Sequence, residues 1–146
     1  MIKINDLLYD YPVTITDSDF EEATGINLKN ELGVTQDIEA QDWLNAAHEN
    51  VYNKIYKIGG KTLKDNLINN YIDYLRKPLK RCLIVQLKYM LDANGDYGAV
   101  DGSHVNADGQ LVVMDKNQII PKIVAPKVVE ILKATKPNLL LGDNER

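Results

Sequence analysis

The sequence predicts a mainly α fold: a helical bundle of about four helices with a projecting β-hairpin or long loop near residues 97–121 and extended termini. Three observations predict it. Apolar residues recur at spacings of three and four between residues 36 and 92, the period of an amphipathic helix. The pattern then breaks at "DANGD" (92–96) into a stretch with Gly95, Gly98, Gly102 and Gly109 among scattered Asp and Asn, a composition suited to turns. The first 30 residues show only weak periodicity. With 146 residues, 45% apolar and 26% charged, the chain is long enough for one domain with a core of its own.

Five segments follow in order: an N-terminal arm (1–34), a helical core (35–92), a hairpin or loop insert (93–121), a C-terminal helix (122–136) and a tail (137–146). The arm holds a short β-like run from Pro12 to Thr16. It continues into "DSDFEE", where Asp17 or Ser18 can cap a helix of one or two turns with acids in its first turn. The first long helix is "QDIEAQDWLNAAHENVYNKIYK" (36–57). Leu44, Ala47, Val51, Ile55 and Ile58 form one stripe with Trp43 and Ile38 at its edge, Thr35 is a candidate N-cap, and Gly59-Gly60 is the stop. A second helix spans about 62–76 through Leu63, Leu67, Tyr71 and Leu75. Pro78 then either opens a third helix or kinks a continuous one. The third, about 78–92, is apolar on most sides and so is expected at the centre. Asp108-Gly109 is a two-residue hairpin signal, and Pro126 opens a final helix over about 126–135 that uses Val128, Val129 and Leu132.

Tests for catalytic chemistry fail one by one. Asp92, Asn94 and Asp96 match the first three ligand positions of a calcium loop, but Tyr97 stands where glycine is needed and Ser103 where the closing Glu is needed. "DANGD" therefore reads as a helix end and turn. His48 and His104 lack metal-ligand spacing, Cys82 lies in an apolar stretch, and "GGKT" (59–62) lacks the leading glycine-spaced loop that cradles phosphate. The expectation is no enzyme, with no catalytic, cofactor-binding or metal residues. Neither a membrane-length apolar run nor a basic leader followed by an apolar core is present, so a soluble, non-exported chain is expected.

Charge is the sequence's strongest signal. The formal net charge of −4 divides into −9 over residues 1–50, +7 over residues 51–91 and −2 over the rest. Asymmetry of this size points to a partner: nucleic acid on the basic segment, or a second copy of the chain matching acid to base. The tyrosines interleaved in "YNKIYKIGGKTLKDNLINNYIDYLRKPLKR" leave a small nucleic-acid-binding or regulatory module, using the basic 51–88 segment, as the alternative.

"LKRCLIVQLKYMLDANGD", followed by a variable loop and "IVAPKVVEILKATKPNLL", resembles the head–tail connector (adaptor) proteins of tailed bacteriophages. Gln86, Tyr89, Leu91, Asn94, Gly95 and Asp96 carry the resemblance, then Val128, Leu132 and Leu139–Leu140, and "DWLNAAHENVYNKI" is similar to that family's first long helix. The acidic arm and the 97–121 insert fall outside the match. The resemblance implies a structural virion protein of the neck, assembled in the host cytoplasm. It would dock on the portal protein as a dodecameric ring of identical copies, extend the DNA channel and meet the next neck or tail-completion protein. DNA would pass through its lumen without sequence-specific binding, and no membrane or cofactor is implied. A ring needs a heterologous interface, for which Lys57, Lys61, Lys64, Lys80 and Arg81 are the basic candidates. The tail residues Pro137, Asn138, Leu139, Leu140 and Leu141 are the portal-docking candidates, presented on an exposed stem.

Overall fold

Thr16 begins the first helix through a reciprocal cap: its hydroxyl accepts the Asp19 N–H at 3.1 Å, and the Asp19 carboxylate accepts the Thr16 N–H at 2.9 Å. In the computed structural model, which describes residues 1–5, 10–57, 59–101, 103–105, 111–113 and 120–140, this is α1 (Asp17–Thr24). Four more helices complete the body in chain order before the last: α2 (Leu28–Leu32), α3 (Asp37–Tyr56), α4 (Gly60–Asn70) and α5 (Ile72–Asp101), with α6 (Pro126–Ala134) closing it. α3 and α6 both pack along α5, which puts α5 at the centre as its apolar surface requires. Among the described residues no helix is long and apolar enough to cross a membrane.

The expected fold class is corrected on three points. Six helices, not about four, form among the described residues. The expected helix over 62–76 divides at Tyr71, whose N–H closes α4 on Leu67 and Ile68 while its carbonyl starts α5. The projecting insert over 97–121 also does not stand as drawn, because its first residues, through Asp101, belong to α5. α5 runs through Pro78 and past "DANGD" to Asp101, about 45 Å of continuous helix. The only β pairing among the described residues is three residues against three, β1 (Ser103–Val105) with β2 (Leu111–Val113). Asp92 continues the helix because it pairs with Lys88 one turn back at 2.7 Å, and a helical glycine costs only about 1 kcal/mol. The expected Asp108-Gly109 turn lies outside the described residues, as does Ile58.

The third correction concerns the ends of the described chain, which are packed into the body, the N-terminal segment as extended chain. Ile2, Ile4, Val13 and Ile15 are buried while Met1, Lys3 and Thr14 face outward, the period-two alternation of extended chain. The backbone of that segment bonds to side chains of α3. Tyr52 Oη donates to the Val13 carbonyl at 2.9 Å, and the Ile15 N–H donates to His48 Nε2 at 3.0 Å. Phe20, Leu28 and Leu32 then carry α1 and α2 into the same core. At the other end Leu139 and Leu140 are buried, and Lys136–Pro137 is a cis peptide.

Candidate assembly surfaces

Three polar side chains inside the core, His48, Gln86 and Asn50, hold the chain's irregular segments. His48 is held by two hydrogen bonds, Nε2 accepting from Ile15 and Nδ1 lying 2.7 Å from the Leu44 carbonyl. Those partners define a neutral ring with the proton on Nδ1, and burial brings its pKa down to about 4. Gln86, fully buried on α5, bonds the extended segment that enters α6: Oε1 accepts the Ala125 N–H at 2.8 Å and Nε2 donates to the Ile123 carbonyl at 2.9 Å. Asn50 on α3 donates to the Pro121 carbonyl at 3.2 Å and pins the same segment farther up. Cys82 is buried, and burial pushes its thiol up to about 12, far from a reactive thiolate. Among the described residues no three His, Cys, Asp or Glu side chains gather as a metal site.

The basic candidates separate once the chain folds. Lys64 is buried on α4, with Nζ donating to the Leu139 carbonyl at 2.6 Å, so it anchors the tail and offers no surface charge. Lys61 pairs with Asp65 one turn on at 2.5 Å and lies 5.7 Å from the Tyr56 ring centroid. Lys80 approaches Asp19 of α1 at 3.7 Å, so part of the acid-to-base matching is satisfied within one chain. Lys57 and Arg81 are exposed.

The docking candidates are corrected more sharply. Leu139 and Leu140 are buried in the core, and Pro137 and Asn138 are half-buried. Thr135 Oγ1 accepts the Leu139 N–H at 3.1 Å, and Asn138 Oδ1 accepts the Leu140 N–H at 2.8 Å, so the segment is tied down rather than presented on a stem. Leu141 lies outside the described residues.

Sequence reasoning missed a groove of about 340 Å³ between α5 and α6. Lys77 and Arg81 stand one turn apart on its α5 wall, Lys127 stands on its α6 wall, and Pro78, Ile131 and Ala134 line it with apolar atoms. Lys127 belongs to a segment whose net charge is slightly negative, so segment totals hid its convergence with Arg81. The exposed tyrosines Tyr71, between α4 and α5, and Tyr74, in the first turn of α5, belong to the same basic stretch.

The acidic counterpart is the α1–α2 layer. Glu21, Glu22 and Glu31 are exposed, and no ion pair joins them to another described residue. They stand on two neighbouring helices, Glu21 and Glu22 on α1 and Glu31 on α2, and Asn27, the N-cap of α2, donates through Nδ2 to the Glu21 carboxylate at 3.1 Å. Farther along, Lys29 bonds Asp37 at 2.8 Å, which holds that carboxyl below the usual range.

No protein-family model, curated protein or solved structure matches the chain.

Proposed function

We propose that the protein is a structural virion protein, a head–tail connector that docks on the portal as a ring, extends the DNA channel and links capsid to tail. The observation that carries this reading is the segregation of exposed charge. Glu21, Glu22 and Glu31 face solvent on one layer, while Lys77 and Arg81 face it on another, and no ion pair within the chain joins the two sets. A subunit with one acidic and one basic surface suits head-to-tail assembly, in which complementary potentials set register and partner choice. The stretch that resembles the connector family lies on α5 and α6, the central helix and its neighbour. Within that stretch Gln86 fastens the segment leading into α6.

Electron microscopy of portal rings incubated with the protein tests the reading. A second ring of density at one end of the portal, with the channel open, is the expected result. Bare portals beside free protein overturn it.

A further inference from the structure

The groove between α5 and α6 has the form of a receptor. Three cations surround it, Lys77 and Arg81 from one wall and Lys127 from the other, above the apolar surface of Pro78, Ile131 and Ala134. One carboxylate, Glu130, also lines it and lies 3.7 Å from Lys127, which leaves the α5 pair as its least compensated charge. The occupant such a groove fits is a short acidic segment with a small apolar side chain.

The chain itself carries that segment. On the α1–α2 edge Glu21 and Glu22 are followed by exposed Ala23, and exposed Glu31 stands on the neighbouring α2. We propose that the α5–α6 groove receives the α1–α2 edge of a second copy of this chain, with Glu22 and Glu31 facing Lys77 and Arg81. Edge and groove share no residue, so each copy that uses one keeps the other free. Used head-to-tail, the contact is heterologous and closes into a ring when the rotation between successive copies divides a full turn. It names the subunit interface that the connector reading requires and rests on that reading.

Two surface variants test the contact: an edge variant, Glu22→Lys with Glu31→Lys, and a groove variant, Lys77→Glu with Arg81→Glu. Sedimentation velocity is run over a concentration series at low and high salt, with DNA binding measured alongside. Wild type self-associates and loses association as salt rises. Each variant alone associates roughly tenfold or more weakly, because like charges then face each other. Mixing the two restores association, since the reversed edge fits the reversed groove and the native edge fits the native groove. Three results overturn the contact: wild type monomeric at every concentration, variants that associate like wild type, or a groove variant that loses only DNA binding. Both variants joining a portal ring as fully as wild type removes this interface and leaves the connector reading standing. Rescue by mixing without any uptake on the portal does the reverse. Matching melting temperatures for the variants and wild type exclude misfolding as the cause.

Discussion

Gln86 Oε1 and the backbone nitrogen of Ala125 lie 2.8 Å apart inside the core, joining α5 to the extended segment that leads into α6. The same amide donates to the Ile123 carbonyl, so a single side chain satisfies a backbone donor and a backbone acceptor two residues apart. Extended chain normally finds such partners in a neighbouring strand; here a glutamine supplies them. Gln86→Met keeps the volume and removes both bonds, leaving the buried Ala125 N–H without a partner. The expected loss is about 2 kcal/mol, about 6 °C in Tm, read by thermal denaturation. A Tm within 1 °C of wild type, on the scale of about 3 °C per kcal/mol, would show that the bond contributes nothing net.

His48 makes stability depend on pH in a definite direction. Its folded pKa, about 4, lies below the ordinary value of 6.5, so the unfolded chain takes up a proton in a range where the folded chain does not. The stabilisation is complete above about pH 6.5 and is lost as pH falls toward 4. A decline on the order of 3 kcal/mol across that window is expected from urea titrations. His48→Gln should flatten the slope over the same window while lowering stability at neutral pH. An unchanged slope in that variant would assign the acid sensitivity to other groups.

Lys64 and Leu139 offer a local test. Lys64→Met retains the buried alkyl chain but removes the donor to the Leu139 carbonyl. The Leu139 and Leu140 amides should then exchange hydrogen roughly tenfold faster, about 1.4 kcal/mol of local stability, with α3 amides unaffected. Uniformly faster exchange would mean that Lys64 supports the whole fold rather than the tail.

α3 and α6 were legible in the sequence because each buries one stripe. Leu44, Ala47, Val51 and Ile55 are buried as their spacing requires, as are Val128 and Leu132 behind Pro126. The length of α5 was not legible: Gly95 and Gly98 read as breakers, while the single-turn pair of Lys88 and Asp92 gives a weaker signal that the helix continues. The place of the N-terminal segment was hidden for another reason. Val13 and Ile15 alternate like a strand, but their backbone partners are Tyr52 and His48, side chains more than thirty residues away on a helix. Leu139 and Leu140 read as part of an exposed greasy triplet because the buried lysine that holds them, Lys64, is 75 residues away in the chain. The groove was invisible for the same cause, since Arg81 and Lys127 meet only after α6 folds back on α5. Charge segregation, by contrast, could be read directly, although Lys80 spends part of it on Asp19 of its own chain.

The connector reading is tested most directly by the mass of the portal ring after mixing with the protein, measured by light scattering on a sizing column. The account predicts a discrete complex that gains one copy of this chain per portal subunit. A portal of unchanged mass, with the protein eluting separately at its own, would contradict it.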